Sequence, residues 1–149
     1  MDDPRDEIRR VISERIAAIR AKNAEAAVAS LADDALAFEM VPPLALPAGA
    51  ARDAAGFAAW LAGFEEIDVE VRELVIEADE KVAFGAALHR LHGTRVGGIP
   101  INLWMRSTLC FRRQVDGWKI AHSHTSVPFY PGPEAKAALD LQPTSQSTD

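Results

Sequence analysis

The sequence predicts an α+β domain, and three observations carry that prediction. Apolar residues recur at helical spacing in the N-terminal part of the chain. Runs with strand character, separated by short turn signals, fill most of the remainder. The 149 residues suffice for one domain with a substantial core, and they show no internal repeat. Helices first and a meander of strands after give three helices packed on one face of an antiparallel sheet.

In chain order, Ile8, Val11, Ile12, Ile16 and Ile19 mark an amphipathic helix over residues 5–21. Asn23 caps a second helix running to about Leu31, and Asp33-Asp34 breaks it. Ala35 to Val41 reads as a short strand stopped by Pro42-Pro43. A loop rich in Pro, Ala and Gly follows to residue 52. Asp53 then caps a third helix, with Phe57, Trp60, Leu61 and Phe64 at i, i+3, i+4 and i+7. Strands are expected from Val69 to Ile76, Lys81 to His92, Ile101 to Gln114 and Trp118 to Val127. Turns at residues 77–80, 97–100 and 115–117 join them. Glu134 to Leu139 suits one helical turn. The single domain is expected over residues 1–141, with a polar, disordered tail over 142–149.

Composition excludes several classes of function. The net charge of -6 argues against nonspecific nucleic-acid binding, which needs a basic surface. Cys110 is the only cysteine, so no intrachain disulfide forms, and its apolar neighbours suit a small buried hydrophobe. The opening MDDPRDEIRR is too charged for a secretory signal, and no apolar run is long enough to span a bilayer. The cytoplasm is the expected compartment. Phosphate loops, nucleophile elbows, dinucleotide fingerprints, HExxH and Cys-His clusters are all missing, so no cofactor or metal is expected.

The candidate chemistry rests on a few residues. His122 and His124 lie two apart, and on a regular strand they share a face with Trp118, Ile120 and Ser126. An apolar wall that turns polar at one end suits a half-enclosed ligand cavity; structural imidazoles are the alternative. Arg15 falls near the centre of the first helix's apolar stripe, because seven residues from Ile8 return to within about 20° of the same direction. A guanidinium there pairs, lines a cavity or snorkels outward. Glu39 alternates with Phe38 and Met40. Strict alternation places the bulky residues inside and Glu39 outside, whereas the opposite phase places Glu39 beside Ala37 and Val41 in a cavity. Arg106 shares a face with Trp104, Thr108 and Cys110, and that face is either cavity or subunit interface. His89 and Arg90 point to opposite faces, so at most one of them lines any given wall. Phe57, Trp60 and Phe64 suit core or cavity wall, and Phe129 with Tyr130 could close a pocket mouth.

Two stretches carry a family resemblance. Residues 15–39 contain a helix, then Leu-Ala-Asp-Asp-Ala, then a short strand ending near a proline. Residues 103–112 (LWMRSTLCFR) are followed by 116–129 (DGWKIAHSHTSVPF). Together they resemble the SnoaL-like and ketosteroid-isomerase-related group of the NTF2-like superfamily, over roughly residues 6–141. The resemblance implies a cone-like barrel in which a curved sheet wraps a long helix around one deep pocket, with homodimers formed through the sheet's other face. It also implies that Glu39 stands at the position of the proton-shuttling carboxylate and Arg15 at that of an oxyanion-binding tyrosine. Thr108-Leu109 occupies the region of the isomerases' second oxyanion residue, so that acid has no counterpart. Arg106 could stand for the arginine of epoxide hydrolases of this fold, whose flanking acids are absent.

The resulting expectation is a pocket for a small, largely apolar organic molecule. Glu39, His122 and Arg15 are its candidate catalytic groups; Arg106, His124, Trp60, Trp104, Phe38, Thr108 and His89 are its candidate ligand contacts. Cofactor-free proton transfer of the isomerase, cyclase or dehydratase type is one expectation. A non-catalytic ligand-binding or dimerisation module is the other.

Overall fold

The computed structural model describes residues 2–144. Helix α1 spans Pro4–Arg20, with Asp3 accepting a hydrogen bond from the Arg5 backbone N–H and proline in the first turn. Helix α2 covers only Ala24–Val28, capped by Asn23. It ends short of the expected Leu31 because Leu31 and Ala32 already belong to strand β1, Leu31–Phe38. The Asp33-Asp34 pair sits within β1 rather than breaking the chain. Both side chains are exposed, with Asp33 paired to Arg52 and Asp34 to Arg112, while Ala32 and Ala35 are buried.

After β1 come a short 3-10 turn, Ala50–Arg52, and helix α3, Ala54–Leu61, capped by Asp53. Phe64 opens strand β2, Phe64–Ala78, instead of closing α3. Strands β3 (Val82–Arg95), β4 (Ile99–Gln114) and β5 (Gly117–Ser126) follow. Residues 134–139 form turns and a bridge between Phe129 and Ala137, not the expected helical turn. Of the polar tail, residues 145–149 lie outside the described residues.

The five strands form one sheet in the order β1-β5-β4-β3-β2. Neighbours β2 to β5 run antiparallel, whereas β1 pairs with β5 in parallel. The sheet is therefore mixed, where a wholly antiparallel one was expected. One extra residue interrupts the ladder near Glu65, near Glu73 and at Ala121, and such bulges bend and twist a strand.

The helices cover one face, and the buried side chains gather in two clusters. The first joins Ile8 and Ile12 of α1 to Ile76, Phe111, Trp118 and Ile120 of the sheet. The second joins Ala24, Leu61, Phe64 and Ile67. Ile8, Leu61, Phe111 and Ile120 are almost wholly withdrawn from water; each such side chain contributes about 1.5–3 kcal/mol by leaving it. Arg15 lies on α1 between Ile12 of the first cluster and Ile19, which packs on the second.

Candidate functional site

Pairing register decides which side chains face the helices. Phe111 packs against Ile12 and lies opposite Ile120, so both point inward. Cys110, one residue away on β4, points outward and pairs with His122. Between Ile120 and His122, Ala121 has no partner on β4, and this bulge reverses the alternation. His122 and His124 thus leave the face of Trp118 and Ile120, contrary to the expectation from regular spacing. They pair with Leu36 and Phe38 on the outer face, where the Phe38 ring lies 4.9 and 5.5 Å from the two imidazoles. His122 Nδ1 is 2.6 Å from the Leu36 carbonyl oxygen. Thr108 pairs with His124 on the same outer face, as does Arg106 with Ser126. Trp104 is outward too, beneath the Arg72 guanidinium at 5.2 Å.

The inner face carries a different polar set. His89 lies opposite Met105 on β4 and Val71 on β2, which are inward positions. Burial, with the Arg15 charge adding to it, lowers the His89 pKa to about 4, so the ring is neutral at physiological pH. Arg15 reaches the same region from α1. Its Nη1 donates to the Ala27 carbonyl at 2.5 Å and to Ser30 Oγ at 3.2 Å, and its guanidinium lies 5.8 Å from the Phe57 ring centre. Burial lowers the Arg15 pKa, and the Glu39 charge opposes that shift. No ion pair joins Arg15 to Glu39 among the described residues; Glu39 acts on it through space.

Several groups of this inner region keep some access to solvent. Trp118 Nε1 is the one fully sealed side-chain polar atom without a hydrogen-bond partner among the described residues. Arg15 Nε and Nη2 and both His89 ring nitrogens make no hydrogen bond to described residues, yet they are not in that sealed class, so they border accessible space. Met105, Leu103 and Leu91, also inward, keep partial exposure, in contrast to the sealed clusters on either side. Ser107, buried on the same face, adds a hydroxyl that the sequence reading passed over. Its signal was legible: it is the polar member of the row Leu103, Met105, Leu109, Phe111.

Glu39 immediately follows β1 and is exposed. With Phe38, Met40, Leu44, His124 and Thr125 it lines a cleft of about 520 Å³. The structure thus brings Arg15 within electrostatic reach of both His89 and Glu39, while Phe38 and His124, on the outer face, share the cleft with Glu39. His122, Arg106, Trp104 and Thr108 lie across the sheet. Trp60 is 44% exposed, stacked on Phe57 at 5.6 Å and edge-on to Phe64 at 5.0 Å. It extends the aromatic wall that begins beside Arg15. Tyr130 donates to Asp140 and, like Phe129, is largely exposed. Among the described residues no group of three or more metal-ligating side chains converges.

A family model for the SnoaL-like domain matches residues 8–130. The chain belongs to the SnoaL-like family. This SnoaL-like domain resembles an NTF2-like protein of unknown function from Pseudomonas putida KT2440, with 27% identity and a TM-score of 0.80 over 93% of this chain and 95% of that one. It also shares its fold with a candidate ketosteroid isomerase from Shewanella frigidimarina NCIMB 400, at 23% identity and a TM-score of 0.64 over 78% and 92% of the two chains. A candidate NTF2-like dehydratase from Streptomyces avermitilis superposes with a TM-score of 0.71 at 15% identity, over 83% and 95%. No curated protein matches the chain. The SnoaL-like domain is thereby placed in the NTF2-like superfamily, with the α+β architecture of its helices and five-stranded sheet. No helix among the described residues is long and apolar enough to cross a membrane.

Proposed function

We propose that this SnoaL-like domain binds a small, largely apolar organic molecule between its helices and the inner sheet face, and that it moves a proton on that molecule without a cofactor. The observation that carries the reading is that three chemically distinct groups lie within electrostatic reach, Glu39 of Arg15 and Arg15 of His89. Arg15 is a withdrawn cation with unused donors, His89 is a neutral imidazole without a hydrogen-bond partner among the described residues, and Glu39 is an exposed carboxylate just after β1. A carboxylate can take a proton from carbon next to a carbonyl, and fixed donors in a poorly solvated place stabilise the oxygen that becomes negative. His89 takes the place that sequence spacing gave to His122. Isomerisation, cyclisation and dehydration all begin with such a step, and the names of two structural neighbours point the same way.

The test is exchange of α-hydrogens of aryl ketones for deuterium in D2O, followed by NMR. The wild type is expected to accelerate exchange, and Glu39→Gln to reduce the rate by about 10²–10⁴-fold. Equal rates with wild type and variant would remove Glu39 as the base.

A second reading, a dimerisation module, draws on a separate observation. Leu36, Val75, Val82 and Phe84 are exposed on the outer face, spread over three strands. We propose that this face joins two copies of the chain, which is compatible with a pocket on the inner face of each.

A further inference from the structure

We propose that the ligand of the inner site is an organic anion, a carboxylate on an apolar or aromatic body, with its acid group seated by Arg15 and its body along the Phe57–Trp60 wall. This rests on the reading of the inner face as a ligand pocket and specifies what that pocket selects. The argument begins with the hydrogen bonds Arg15 makes. A guanidinium has five N–H donors, and here only Nη1 is engaged, by the Ala27 carbonyl and Ser30 Oγ. Ser30 Oγ itself donates to the same carbonyl at 2.7 Å, which fixes the three groups as a unit. The neighbouring pair, Nε and Nη2, is the edge that takes a carboxylate through two parallel hydrogen bonds, and it has no acceptor among the described residues.

A withdrawn cation with a vacant bidentate edge is costly unless an anion completes it. Glu39 does not complete it, since no ion pair joins the two side chains. Its charge reaches Arg15 only through space. Asp33 and Asp34, the acids on β1, are exposed and bound to Arg52 and Arg112. Glu7, from the preceding part of α1, faces Arg113 at 3.5 Å. His89 adds selectivity of the same sign. It is neutral beside a cation, and an arriving anion would favour its donating a proton in a hydrogen bond or acquiring one.

The apolar half of the ligand follows from the aromatic row. The Phe57 ring lies against the guanidinium, Trp60 stacks on Phe57 with an interplanar angle of 14°, and Trp60 remains 44% exposed. A flat apolar body anchored at Arg15 would extend over these rings. Phe57→Ala should therefore weaken an aromatic acid more than acetate.

The experiment is titration calorimetry at low ionic strength near neutral pH, with 2-naphthoate and its uncharged isostere 2-naphthamide. The acid is expected to bind at least about tenfold more tightly, in keeping with a charge-assisted bidentate contact. Arg15→Met should abolish that difference. Because Arg15→Met also removes the contact with Ala27 and Ser30 and could unfold the chain, the Arg15 Nε–H resonance of the wild type gives an independent readout by ¹⁵N NMR. It should shift with the acid and not with the amide. Equal affinity for acid and amide would overturn the anion assignment and leave the pocket intact. Binding of neither, with the Arg15 resonance unmoved at millimolar ligand, would overturn both.

Discussion

His89 is a neutral imidazole held next to a permanent cation, and pH reads that arrangement directly. Its folded pKa is about 4 against an ordinary 6.5, chiefly through burial and secondarily through Arg15. Between those values the unfolded chain binds a proton that the folded chain does not. The stability associated with neutral His89 is therefore complete above 6.5 and is lost as pH falls through the window towards 4. In urea titrations, His89→Gln should lose less stability than the wild type on going from about pH 7 to about pH 4.5, the gap approaching about 3 kcal/mol at most. Parallel losses in the two proteins would mean that the imidazole is hydrated and not shielded beside Arg15. Arg15 was legible in the sequence, because a charged residue in the centre of an isoleucine stripe must be accommodated by something. What accommodates it was not: the Ala27 carbonyl and Ser30 lie on and just after another helix, and no periodicity relates them to α1.

At the level of elements, the amphipathic helix, its caps and the strand runs were readable because each is a local pattern. The error over His122 and His124 has an equally local cause. Alternation assigns faces only while the ladder stays regular, and Ala121 is an inconspicuous residue that carries no bulge signal. The inner phase of Glu39 could be reached only by weighing small Ala37 against bulky Phe38. Within β1 the structure buries Ala35 and Ala37 and puts Leu36 on the outer side, and Glu39, just past the strand's end, is exposed. The β2–β3 pairing shows how tightly such irregular positions are held. Gly93 has φ of +145°, and a Cβ there would stand 2.1 Å from the Glu66 carbonyl oxygen, itself backbone. Gly97 also has positive φ, +94°, but a Cβ there would meet nothing within 4 Å. Gly97→Ala should then cost only the conformational strain, about 1–2 kcal/mol. Gly93→Ala should cost about 2–4 kcal/mol, since one strand must also move. Chemical denaturation of the two variants separates these contributions, and equal losses would show that β2 and β3 do not approach so closely at Gly93.

For the whole molecule, what the sequence could not supply was the company each strand keeps. The parallel pairing of β1 with β5 joins segments about eighty-five residues apart, and it is this pairing that lays out the outer face. Following the register across the sheet, Glu77, Phe84, Cys110, His122 and Leu36 form one transverse row, and Val75, Ala86, Thr108, His124 and Phe38 form the next. Both rows carry apolar and aromatic groups, and several of these are exposed: Val75 at 55%, Phe84 at 44% and Leu36 at 39%. The charged groups Glu70, Arg72 and Arg90 interact with one another farther along the same face, and the two rows, with Glu77 at one end, carry most of its apolar side chains. A stable two-fold contact buries about 1,200–2,000 Å² in total, which a five-stranded sheet face can supply, and the symmetry would set each row against its copy. The wild type is accordingly expected to show twice the monomer mass by light scattering at micromolar concentration. Phe84→Glu, which places a carboxylate in the middle of that contact, should give the monomer with an unchanged far-ultraviolet circular dichroism spectrum. Because Phe84 points away from Arg15 and His89, the variant should retain whatever ligand affinity the wild type has. A wild type that is already monomeric would leave the rows to another partner, and a variant that loses ligand binding together with dimerisation would mean that the two faces are coupled through the sheet.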